Sequence, residues 1–315
     1  MVRRAEGLTA MRHSAVSTPR AARITLALTA VLGLVAFGWP LLLSPGSQAD
    51  YETRAPFLLA GILVLAVAIV VSQLGANGID AKALAMLGVL TACGAALRPL
   101  GTGTAGIEFV FLLIILGGRV FGAGFGFLLG ATTFLTSALL TAGFGAWLPY
   151  QMVAAGFVGL GAGLLPSLSR LGGRRRALAE TAMLAGYGFF TAFGYGWLMD
   201  FAFWPFTLGL STSISYSASA SIGTNLWHFV LYNLATSMAW NLGRALTNVV
   251  LIVLVGQPVM RVLRRAARRA SWSTPGPVPE PVPGTSVDHD RSVAHRIPRA
   301  DGPRASLREV LPNRE

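Results

Sequence analysis

From Ile24 to Gly256 the chain is a succession of long apolar runs, and its arginines fall in every second gap between them. A run of about 18 or more apolar residues, rising about 1.5 Å per residue as helix, crosses a hydrocarbon core of roughly 30 Å. A soluble fold has no place to bury so many uniformly apolar helices. The pattern therefore predicts an all-α polytopic membrane protein, a bundle of transmembrane helices. Composition agrees, because 53% of the 315 residues are hydrophobic and only 12% are charged.

The runs predict eight spans, at 23–43, 56–74, 81–98, 105–118, 120–142, 150–169, 177–199 and 228–256. The fourth is short for a full crossing, so a tilted or partly re-entrant segment is equally consistent with it. An even number of crossings leaves both termini on one side. Positive charge marks that side as the cytoplasm of the cell membrane. Arg3, Arg4, Arg12, Arg20 and Arg23 precede the first span, and Arg261, Arg264, Arg265, Arg268 and Arg269 follow the last. Lys82, Arg119, Arg170, Arg174, Arg175 and Arg176 occupy the inner gaps, while the outer segments 44–55, 99–104, 143–149 and 200–227 are nearly free of basic residues. Arg98, at the outer end of its span, is the exception. The net charge of +12 is thus placed for anionic lipid headgroups, and nothing in its context suits nucleic acid.

Residues 1–22 form a basic cytoplasmic N-terminus, and 23–79 carry two helices. The first of these imitates a signal peptide, but its apolar part is long and Trp39–Pro40 replaces a cleavage site, so it is read as retained. From 270 to 315 the chain turns rich in Pro and Arg and poor in aromatics. Such a segment cannot bury enough apolar surface to offset its ordering entropy, so a disordered cytoplasmic tail is expected.

Catalytic signatures are missing. There is no Walker A sequence, no nucleophile elbow and no metal-ligand spacing among His13, His228, His289 and His295. The expectation is a protein that is not an enzyme and holds no metal or cofactor of its own.

Polar and aromatic residues gather instead at the outer helix ends. Arg98 closes one helix and Glu108 opens the next; Trp147 and Gln151 mark a second outer turn; Asp200, Trp204, Asn225 and His228 mark a third. Ionisable groups near a bilayer are costly and tend to face an interior or a water-filled cavity. These eight residues are therefore candidates for an outward-facing small-molecule site. Arg98 with Glu108 reads equally as a structural ion pair, and Trp147 and Trp204 read as an interfacial belt. The uncharged Ser/Thr/Gly-rich loop 201–226 is a candidate lid. Arg244, beside Asn241 and Asn248, either snorkels to the inner surface or meets a partner helix. On the third span, Ala81 and Ala85 are followed on a neighbouring face by Gly88 and Ala92, a spacing that lets helices approach closely within the chain or with a partner.

Taken in order, several segments resemble the substrate-binding (S) component of energy-coupling factor (ECF) transporters. They are Asp-Ala-Lys-Ala-Leu-Ala-Met-Leu-Gly at 80–88, the turn Gly-Gly-Arg-Val-Phe-Gly at 117–122, Gly-Phe-Leu-Leu-Gly-Ala-Thr-Thr at 126–133, Trp-Leu-Pro-Tyr-Gln-Met at 147–152 and Trp-Asn-Leu-Gly-Arg-Ala-Leu-Thr-Asn at 240–248. The resemblance implies a six-helix core over 80–269 that captures a vitamin or related micronutrient at its outer face, with a cobalamin-like compound as first guess. It further implies delivery to a transmembrane T component powered by two ATPase subunits, which use the ATP. Ala81 and Ala85 match the family's Ala-x-x-x-Ala docking motif. The two N-terminal helices and the tail depart from the family pattern. A stand-alone secondary transporter, a membrane-bound enzyme or an assembly factor are the alternatives.

Overall fold

A computed structural model describes residues 20–38, 81–101, 104–145, 147–207, 212–217 and 219–271, with positions 61 and 65 in isolation. The expected span 56–74 and nearly all of the expected tail lie outside the described residues.

Every regular element among the described residues is helical: α1 (Arg20–Phe37), α2 (Ala81–Gly101), α3 (Val110–Phe121), α4 (Ala123–Thr141), α5 (Leu148–Leu164), α6 (Gly173–Thr207), α7 (Ile222–Tyr232) and α8 (Met238–Ser271). A π-helical turn, Asn233–Ser237, joins α7 to α8 without a break. Among the described residues three helical stretches are long and apolar enough to cross a membrane: Ala81–Gly101, Ala123–Thr141 and Ile222–Arg268. The core is mainly apolar, as in a soluble protein, but the surface is apolar as well. Phe190, Leu254 and Leu140 are exposed, whereas Glu180, Asn241, Arg244 and Asn248 are buried. A surface of this kind suits lipid, in which apolar side chains face outward and polar ones turn inward.

Several expected boundaries move. Helix α6 extends the expected 177–199 at both ends, and the last span is part of a rod from 222 to 271. The expected loop 201–226 accordingly shrinks, since 201–207 and 222–226 are helical. Residues 105–109 do not open a helix. The chain there turns through Ala105 (φ 44°) and Gly106 (φ 79°) before α3 starts at Val110. Only glycine fits position 106, because a Cβ there would collide with the Trp240 carbonyl of α8.

Two seams hold the bundle. Gly126 of α4 lies backbone-to-backbone against Gly159 of α5, and Gly130 lies against the Ala155 carbonyl. Small residues allow this approach, and dispersion across the contact stabilises it in lipid. The second seam runs between the antiparallel α6 and α8. Asn248 Nδ2 donates to the Gly188 carbonyl (3.0 Å) and Arg244 Nη1 to the Ala192 carbonyl (3.3 Å). Gln257 Nε2 donates to the Ala177 carbonyl at 2.9 Å. Gly196 makes room for the Asn241 side chain, which a Cβ would strike.

At one end of this seam Glu180 receives two arginines, Arg119 Nε at 3.0 Å and Arg264 Nη2 at 2.6 Å. Arg119 also caps the C-terminal end of α5 by donating to the Leu165 and Pro166 carbonyls. Twenty residues further along α6 stands Asp200, and twenty residues back along α8 stands Arg244. Twenty helical residues measure about 30 Å, the thickness of a hydrocarbon core. The two charged clusters are thus spaced like the two faces of a bilayer.

Candidate functional site

At the Asp200–Arg244 end lies a cavity of about 400 Å³, within the range of small-molecule sites. Its walls come from α2, α4, α5, α6, the π turn, α8 and the irregular segment before α3. Because α3 has only 12 residues, about 18 Å of helix, the backbone ahead of it is recessed between longer neighbours. Non-helical backbone at membrane depth is tolerated where it lines such a cavity.

Arg244 builds one wall. Its Nη2 and Nε reach the same Glu108 oxygen at 2.7 and 3.1 Å, and its Nη1 donates to Asn241 Oδ1 at 2.8 Å. The guanidinium carbon lies 5.0 Å from the centre of the Tyr195 ring and 5.9 Å from that of Phe111. Arg98 builds the opposite wall. Its Nη2 donates to Gln151 Oε1 at 2.8 Å, its Nη1 to Ser137 Oγ at 3.4 Å, and the group lies 4.4 Å above the Phe134 ring. Both cations therefore rest on aromatic faces and on fixed acceptors, which holds them rigidly in place. Asp200, Thr236, Ser237, Met199 and Trp240 complete the lining.

Of the eight residues singled out from sequence, Arg98, Glu108, Gln151 and Asp200 meet around this cavity. The other four do not line it. Trp147 precedes α5 with about half its surface exposed. Trp204 is buried and donates from Nε1 to the Ile214 carbonyl at 2.7 Å. Asn225 bonds both ways with the backbone of Ser217, and His228 Nδ1 lies 2.9 Å from the Ser215 carbonyl. These three tie residues 214–217 down onto α6 and α7.

The pairing of Arg98 with Glu108 is corrected. Glu108 takes its ion pair from Arg244, and Arg98 turns to Gln151. The reading of Arg244 as a snorkelling residue falls with it, since its side chain is only 6% exposed. Sequence reasoning also missed Tyr195, Asn241, Ser237 and Trp240 as wall residues. A signal was present in the small residues Gly188, Ala192 and Gly196, four apart, facing polar Asn241, Arg244 and Asn248 at steps of three and four.

On α2, Ala81, Ala85, Gly88 and Ala92 are all exposed, and nothing lies within 4 Å of a Cβ built on Gly88. Among the described residues no group of His, Cys, Asp and Glu is arranged to hold a metal ion.

The chain matches no protein-family model, no curated protein and no solved structure.

Proposed function

We propose that the chain is a substrate-capturing membrane component of an ECF-type importer. In this reading it takes up a small molecule at its outer face and delivers it by docking on a T component driven by separate ATPases. The observation that carries the reading is the cavity at one end of the bundle, with preset polar walls and a seam of buried hydrogen bonds beneath it. The open small-residue face of α2 supports the docking half, because it offers a partner helix the close approach that lipid cannot compete with. The sequence resemblance between 80 and 269 points the same way. A corrinoid exceeds a volume of about 400 Å³, so the proposed cargo is a smaller micronutrient than cobalamin.

A second reading, a stand-alone secondary transporter, draws on Glu108 and Asp200. Acids in the wall of a membrane cavity are the groups such transporters use for coupling ions. Affinity capture of the full chain from its native membrane separates the two. The importer reading expects an integral membrane partner and ATPases in the eluate, and uptake that stops when the ATPases are deleted. Uptake that persists in a host lacking them would overturn it. Ala81→Leu with Ala85→Leu should abolish uptake and partner capture while leaving ligand binding intact. Loss of binding with capture preserved would remove the docking role from α2.

A further inference from the structure

The Glu108–Arg244 pair is lopsided. Arg244 brings Nη2 and Nε to the same oxygen, Oε1, where a fork-to-fork pair would engage both. Oε2 enters no hydrogen bond among the described residues, and it is not sealed, since the Glu108 side chain keeps 20% of its surface. The opposite wall is lopsided in the complementary sense. Arg98 can only donate, so Gln151 must give it Oε1 and turn Nε2 away. Nε2 also has no partner among the described residues, and on this half-buried side chain it is an open atom, not a buried one. Asp200 Oδ2 and Asn241 Nδ2 differ, being buried out of contact.

Charge divides along the same line. Glu108 and Asp200 stand with Arg244, two acids against one cation, and Asp200 acts through space within electrostatic reach of that arginine. Arg98 and Gln151 offer the cavity N–H donors from the other side. The two walls are close together. Phe134 carries Arg98 on its face and Tyr195 carries Arg244, and the centres of these two rings are 5.9 Å apart. One small molecule can therefore touch both.

Resting on the reading of this cavity as the ligand site, we infer that it selects a small amino-acid-like zwitterion, whose ammonium donates to Glu108 Oε2 and whose carboxylate accepts from Gln151 Nε2 beside Arg98. Such a ligand brings each of its charges to the wall that complements it. A plain amine leaves the donors of the Arg98 wall unmatched, and a plain acid brings no donor to Glu108. Trp240, 42% exposed at the same cavity, offers an aromatic surface to an apolar side chain.

L-phenylalanine, phenethylamine and 3-phenylpropionate test this, because they share a skeleton and differ in which charged ends they carry. Binding is read by ligand-observed NMR on the full chain in lipid nanodiscs. L-phenylalanine is expected to bind at least roughly tenfold more tightly than either of the others. Glu108→Gln should erase its preference over 3-phenylpropionate. Gln151→Glu, which keeps an acceptor for Arg98 but replaces the open donor by an oxygen, should erase its preference over phenethylamine. Should Glu108→Gln not fold, Gln151→Glu decides alone. No binding of L-phenylalanine, equal binding of either single-ended probe, or a preference that survives its variant overturns the inference. Partner capture is measured on the same preparation. Successful capture with the wrong probe preference sinks the ligand class alone, and failed capture with the expected preference sinks the importer reading alone.

Discussion

Arg244 organises the cavity wall, and its energetic role follows from what its loss would leave behind. The side chain is 6% exposed and its partner Glu108 20% exposed. Removing either partner strands the other charge in a poorly solvating site, at a cost of about 3 kcal/mol by analogy with buried pairs elsewhere. Removing both charges together leaves no charge stranded. Arg244→Gln and Glu108→Gln should therefore each lower the thermal stability of the purified protein, and the double variant should lose less than the two combined. A coupling of about 1–3 kcal/mol is expected from the cycle. Strictly additive losses would mean that the two side chains act separately. This pair was not legible in the sequence because its members are 136 positions apart. Proximity along the chain favoured Arg98 instead. Which cation meets Glu108 depends on the rotation of α8 and on the Ala105–Gly106 turn, neither of which leaves a local signature.

Helices were legible where lipid dictates them. The apolar runs at 81–98, 120–142 and 150–169 correspond to α2, α4 and α5 to within a few residues. Ends were legible less well, since hydropathy registers where the hydrocarbon stops and not where the helix stops. α6 continues through Arg174, Arg175 and Arg176, and α8 continues through the arginines from Arg261 to Arg268. Pro99, Pro205 and Pro258 lie inside helices and end none of them there. The π turn was invisible as well, because an inserted residue changes rotation rather than composition. It widens one turn of the rod at the point where Thr236 and Ser237 face the cavity, a placement common for such bulges at functional sites. Deleting Ala235 should restore an α-helical register and swing residues before it by about 100°. The expected outcome is loss of ligand binding, with the α6–α8 seam intact and the far end of the rod still protected in hydrogen exchange. Unaltered binding would show that the turn has no part in shaping the site.

For the whole molecule, length decides what sides are available. α6 has 35 residues, about 50 Å of helix, against a hydrocarbon core of roughly 30 Å. A helix of that length standing in a bilayer projects from both faces. Its first turns carry Arg174, Arg175 and Arg176, and beyond its last turn the chain continues to the uncharged segment 212–217. If the arginines mark the cytoplasm, the cavity opens to the exterior, as a capturing component requires. Cys93 is the sole cysteine of the chain, so Cys93→Ala provides a silent background for labelling. Ser213→Cys and Arg175→Cys then report on the two ends, both positions being exposed. A membrane-impermeant maleimide applied to intact cells should modify the Ser213→Cys protein and spare the Arg175→Cys protein until the membrane is permeabilised. The opposite order would turn the cavity toward the cytoplasm. Capture of an external micronutrient would then be excluded, although every distance within the site would stand. The same labelling tests whether α6 crosses at all, since modification of both positions from outside would leave it lying along one face.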